Sequence, residues 1–169
     1  VRATPLTVIS PIPRWWAVWI ALSWPVARRL PIVGAPLHKL AFIHFARWAV
    51  LRRGRARQLL FLTSFDGSSM QYIDAFVRVV PWQIRGLYSG ATGFPGPKRF
   101  EPVKRYIDEH SHHVDHFWLA YPDASTRMVE QALALKAAYD EAAPRLDGAD
   151  AESFGREWRQ FLTEVQANL

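Results

Sequence analysis

Sixty-five residues pass before the chain's first carboxylate, Asp66. In that acid-free stretch ten residues are basic: Arg2, Arg14, Arg28, Arg29, Lys39, Arg47, Arg52, Arg53, Arg55 and Arg57. Inside it, residues 15–27 carry no charge, hold Trp15, Trp16, Trp19 and Trp24, and are bracketed by Arg14 and by Arg28 and Arg29. The other 104 residues carry eleven basic and fifteen acidic side chains, so the net charge of +6 comes entirely from the N-terminal third. Such asymmetry points to an anionic partner, either nucleic acid or a membrane surface.

The uncharged run decides between them. As a helix, thirteen residues rise roughly 20 Å at ~1.5 Å each. A hydrocarbon core is about 30 Å thick, so the run is too short for a simple span. Pro25 weakens a continuous helix, and no small-residue cleavage site follows, as a secretory signal would require. An interfacial element fits better. Trp prefers the headgroup zone, and Arg reaches lipid phosphate. Arg14, Trp15, Trp16, Trp19, Trp24, Arg28 and Arg29 are therefore the expected membrane-surface residues. The alternative is that these tryptophans pack on the chain's own core or on a dimer mate. Nucleic acid is not expected, because no helix-turn-helix, zinc-finger or RNP-type pattern occurs.

The absence of cysteine excludes a disulfide scaffold, a thiolate nucleophile and Cys-ligated metal or Fe–S sites. Half the residues are hydrophobic, enough for a real core in a chain of 169.

Three regions are expected: a basic Trp-rich arm over 1–37, an α+β domain over 38–143, and a linker with a C-terminal amphipathic helix over 144–169. Residues 31–36 read as a linker. Residues 41–51 and 58–64 read as an antiparallel hairpin around a basic turn at 52–57. Alternation puts Phe42, His44, Ala46, Trp48 and Val50 on one face and Arg47 on the other. Ser68 with Gln71 forms a capping box for a helix to Val80, ended by Pro81. Residues 83–89 read as a third strand and 90–98 as a Gly/Pro loop. A short helix follows to about His110, and 114–121 read as a fourth strand. Ser125 caps a helix to Ala143, and Phe154, Trp158, Phe161 and Val165 line a last helix. The fold expected is α+β: a ferredoxin-like sandwich with a four-stranded, mostly antiparallel sheet and helices on one face. The uncovered face calls for a second copy, so a homodimer or a subunit of a larger assembly is expected.

His44-Phe45-Ala46-Arg47-Trp48, Phe65-Asp66-Gly67-Ser68, Gln71-Tyr72-Ile73-Asp74, Gly93-Phe94-Pro95-Gly96, and Asp115-His116 with Ala120-Tyr121-Pro122 resemble the motifs of one bacterial family, frequent in actinobacteria. Its members carry HFARW, SNFDGSWDQYIDDF, GFPG and ADHYYSAYP in that order, and the resemblance covers about residues 40–136. It implies a ferredoxin-like fold of the dimeric α+β-barrel type and no reaction. Ser69 stands where the family has Trp, and Ser64 where it has Asn.

Three groups of residues carry possible chemistry. Asp108, Glu109, His110, His112, His113, Asp115 and His116 are dense in metal-ligating types, but their spacing defines no site, and no metal is expected. Residues 90–99 offer backbone N–H groups with Lys98 and Arg99 to an anion, yet lack any nucleotide fingerprint. His44 and His116 form the sharper pair. With Trp48, Trp118 and Tyr121 they would line an aromatic cavity, with Arg47 near enough to attract an acidic group. His44, His116 and Asp66 are the catalytic candidates, Asp66 as the group that orients an imidazole. The leading expectation is a peripheral membrane module, at the cytoplasmic face of a bacterial membrane, that binds an apolar or acidic, lipid-like ligand or serves as an interaction subunit. No cofactor is expected. The alternative is a His-dependent redox enzyme, for which haem would be the cofactor.

Overall fold

A computed structural model describes residues 3–27, 29, 30, 40–96 and 99–166. Arg28, the linker at 31–36 and Lys98 lie outside the described residues. The chain divides into two compact units, residues 1–123 and 124–169.

The first unit is built on a four-stranded antiparallel sheet in the order β2-β3-β1-β4. Its strands are β1 (Ala3–Ile12), β2 (Ile43–Arg53), β3 (Ala56–Asp66) and the two-residue β4 (Ser111–His112). The helices are α1 (Arg14–Ala27), α2 (Ser69–Val79), α3 (Pro81–Tyr88) and α4 (Phe100–His110). Strand–helix–strand–strand–helices–strand with this sheet order is the ferredoxin-like α+β arrangement.

The expected hairpin is present and its turn has a simple cause. Arg53 pairs with Ala56, leaving Gly54 and Arg55 as a two-residue loop. Gly54 takes φ +58°, the positive value that a type II′ turn requires at its first central position.

The expected arm is not an appendage. Residues 3–12 form β1, which runs along the whole of β3 from Ala3↔Asp66 to Ile12↔Arg57. Pro5 and Pro11 argue against a central strand. They are accommodated because β4 covers only Thr7 and Val8 on the other side of β1. The Pro11 carbonyl accepts from the Thr92 N–H at 2.9 Å, so this residue's backbone polar groups face away from β3. Pro5 has the same parity. Neither missing N–H interrupts the β1–β3 ladder.

Two further expectations fail. Residues 83–89 do not form a strand. Ile84, Leu87 and Tyr88 are the buried residues of α3, spaced i, i+3, i+4 behind Pro81 at its first turn. Residues 114–121 form neither helix nor strand; the fourth strand comes earlier, directly off the end of α4.

The core lies between one sheet face and the helices. Val8 and Ile12 of β1 and Leu59, Phe61 and Phe65 of β3 meet Trp16 and Ile20 of α1, Tyr72, Ile73 and Phe76 of α2, Ile84 and Leu87 of α3, and Tyr106 of α4. Ser68 is the N-cap of α2, its hydroxyl accepting from the Gln71 N–H at 3.4 Å.

The second unit is a helical hairpin of α5 (Thr126–Leu146) and α6 (Ala151–Val165). Ser125 caps α5 as its sequence suggests. The helix runs past the expected break, with Pro144 in its last turn. Asp150 caps α6 through the N–H groups of Glu152 and Ser153. Ala142, Leu146, Phe161 and Val165 form the hairpin's own small core.

Candidate functional site

The uncharged run folds as α1 and passes through Pro25 to Ala27. The proline lies in the last turn, where its missing N–H costs one terminal bond rather than the helix. The inward face carries Trp16, Ala17 and Ile20, all buried. Trp16 is therefore a core residue and not, as expected, a surface one. Its Nε1–H donates to the Leu87 carbonyl at 2.9 Å, tying α1 to α3.

The outward face is apolar as well. Trp15 is 64% exposed and Leu22 72%, and Val18, Trp19 and Val26 are exposed with them. Positions 15, 18, 19, 22 and 26 form one stripe at 3.6-residue spacing. Arg14 and Arg29, both exposed, flank it. An ordinary surface helix turns polar side chains to water; α1 has none on this stripe. No described helix is long and apolar enough to cross a membrane.

Beside the stripe, α1 and α3 enclose a groove of about 720 Å³. One wall is Trp19, Ser23, Trp24 and Val26 of α1, the other Trp82, Gln83, Gly86 and Leu87 of α3, and Trp48 of β2 contributes from the sheet. Its volume falls within the about 300–1,000 Å³ usual for ligand sites. Trp24 meets Trp48 at 6.1 Å between ring centroids, and Trp48 stacks on Phe61 at 5.0 Å. Trp19 and Val26 belong to both the stripe and the groove. The Arg85 guanidinium lies 5.7 Å over the ring of Trp82, one of the lining residues. In the core, burial holds the phenols of Tyr72 and Tyr88 well above their usual range, and that of Tyr106 is raised by the same cause.

The expected aromatic cavity is not what lines this groove; of its six residues only Trp48 does. A β-bulge between Ile43 and Phe45 is the reason. It breaks the alternation that would put His44 on the Trp48 face. His44 Nε2 instead lies 2.9 Å from Asp66 Oδ1, with the two side chains 22% and 12% exposed. Asp66 thus does orient an imidazole. Arg47, paired with Leu62, is exposed on the sheet face opposite the helices. Trp118 and Tyr121 are 74% and 77% exposed in the irregular segment, and His116 is exposed there too.

The His-rich segment disperses. His110 Nδ1 bonds to the Tyr106 carbonyl at 2.8 Å and its ring stacks on Tyr106. His112 sits in β4 opposite Thr7, and His113 is exposed. Among the described residues, no three His, Asp or Glu side chains gather as a metal site. A strand over 83–89 leaves no groove wall on α3; Pro81 followed by Ile84, Leu87 and Tyr88 is the sequence signal for the helix.

No protein-family model, no curated protein and no solved structure matches the chain.

Proposed function

We propose that the protein is a peripheral module that lays the outer face of α1 into an anionic membrane surface and binds an apolar or acidic, lipid-like ligand there. The observation that carries this reading is that α1 is apolar on both its inward and its outward faces, with one in the core and Trp15, Val18, Leu22 and Val26 exposed on the other. Interfacial helices bury such a stripe about 5–10 Å into the headgroup and acyl boundary. Arg14 and Arg29 supply cations at its edge, each contributing about 1 kcal/mol beside anionic lipid. Neither α1 nor α3 contains an acidic residue to repel an anionic surface. The cytoplasmic leaflet, with its negative surface potential, is the matching location.

The family resemblance belongs to the same proposal, and so does a second copy of the chain against the other sheet face, where Phe45 is exposed and Leu60 and Leu62 share its side. The His44–Asp66 pair is the one feature that favours a His-dependent reaction, and neither His44 nor His116 lines the groove.

Flotation with phosphatidylglycerol vesicles tests the reading. The wild-type chain is expected to float, and the Trp15→Ser/Leu22→Ser variant to stay in solution with its circular dichroism unchanged. Equal flotation of both proteins removes α1 from the account.

A further inference from the structure

The groove between α1 and α3 is more than a by-product of their packing. Among the described residues its walls carry no charged side chain. It adjoins the exposed stripe through Trp19 and Val26, so a molecule leaving the bilayer interface at α1 meets the groove without crossing polar surface. Gly86 supplies a second, independent observation. It sits inside α3, where glycine lowers helix stability relative to alanine. Packing does not require it, since a β-carbon there would meet no atom within 4 Å. Gly86 lines the groove, and its missing side chain keeps that wall open. Cations stand next to two lining residues: the exposed Arg85 guanidinium lies over the Trp82 ring, and exposed Arg29 directly precedes Leu30.

The geometry points to a binding site for one long acyl chain with an anionic head, the chain lying between Trp24, Trp48 and Gly86 and the head at Arg85. This deepens the membrane-surface reading and rests on it for the source of the ligand. Free fatty carboxylate and anionic phospholipid share the chemistry that would be recognised: an apolar tail for the groove and a negative group for the guanidinium.

Dibromostearate separates the outcomes, because its bromines quench nearby tryptophans. Titrated below its micelle concentration without vesicles, it is expected to quench the wild-type fluorescence saturably, at one molecule per chain. Gly86→Leu fills the groove from α3 and Ser23→Leu fills it from α1. Each is expected to weaken that binding about tenfold or more. Arg85→Gln is expected to weaken it several-fold, and Trp15→Ser/Leu22→Ser to leave it intact while abolishing flotation. Vesicles of phosphatidylglycerol with dibrominated chains form the second arm. Trp15 and Trp19 on the docked stripe are quenched there whatever fills the groove, so the readout is the quenching that Gly86→Leu and Ser23→Leu remove: a larger removable part than in solution identifies phospholipid as the source, an equal or smaller one free fatty acid. Quenching that never saturates in the wild-type chain overturns the site. So does wild-type affinity in both groove-filling variants. If Gly86→Leu fails to fold, Ser23→Leu decides alone. Failure of the wild-type chain to float, with its dibromostearate binding retained, overturns the membrane reading and leaves the groove site standing.

Discussion

The indole of Trp16 occupies the space a side chain on Gly90 would need: a β-carbon there would lie 2.1 Å from Cδ2 and 2.3 Å from Cγ. This close approach, with the bond from Trp16 Nε1 to the Leu87 carbonyl, fixes the inward face of α1 against the segment that ends α3. It also fixes which stripe of α1 remains outside. Gly90→Ala is expected to force the two segments apart at a cost of about 1–3 kcal/mol, the usual penalty of overpacking. Equilibrium urea denaturation measures it as a lower midpoint with an unchanged slope. An unchanged midpoint would mean that the contact is not made.

The hairpin of β2 and β3 was legible because alternation, a basic Gly-containing turn and β-branched residues agree there. The caps at Ser68 and Ser125 were legible because capping is local chemistry. What was not legible depended on neighbours. Pro5 and Pro11 are unfavourable in a central strand, and only the shortness of β4 makes room for them in β1. Ile84, Leu87 and Tyr88 fit helical spacing, but the short run 83–89 also alternates well enough for a strand. Strict alternation puts His44 on the Trp48 face, and one bulge undoes that. The candidate site moved accordingly: the Trp-rich run was conspicuous in the sequence, while its groove needed α3 as a helix to exist. That Trp16 faces inward and Trp15 outward follows from the direction in which α1 packs, which the uncharged run leaves undetermined.

Asp66 accepts from His44 across the bulge, so His44 Nε2 carries the proton that is donated. Nitrogen NMR is expected to show His44 in the Nε2–H tautomer. Asp66→Asn keeps an acceptor oxygen and is expected to change stability little. Asp66→Ala leaves the partly buried imidazole without this partner and is expected to cost about 1–3 kcal/mol in denaturation. Equal stability of the two variants would show that the bond contributes nothing.

Burial raises the pKa of Tyr72 and Tyr88 well above the ordinary value of a tyrosine phenol, and that of Tyr106 moves in the same direction. The folded chain therefore keeps protons that the unfolded chain releases. The stability these phenols contribute is complete below about pH 10 and declines as pH rises towards their folded values. In an alkaline titration followed by phenolate absorbance, Tyr72 and Tyr88 are expected to ionise only as the fold is lost. Tyr→Phe variants at 72 and 88, which lack the titrating group, are expected to remove that share of the pH dependence. Ionisation of both tyrosines in a folded chain would contradict their placement in the core.

Because the chain has no cysteine, a single nitroxide can be placed anywhere without background. Labels at Val18→Cys and Leu22→Cys report the outer stripe of α1, and a label at Arg53→Cys in the exposed end of β2 serves as the aqueous control. With phosphatidylglycerol vesicles present, electron paramagnetic resonance power saturation compares collisions with oxygen, which partitions into lipid, and with a water-soluble nickel chelate. Labels at 18 and 22 are expected to become oxygen-accessible and chelate-protected, at a depth of about 5–10 Å, while the label at 53 stays in water. Chelate accessibility at all three positions, unchanged by vesicles, would contradict it.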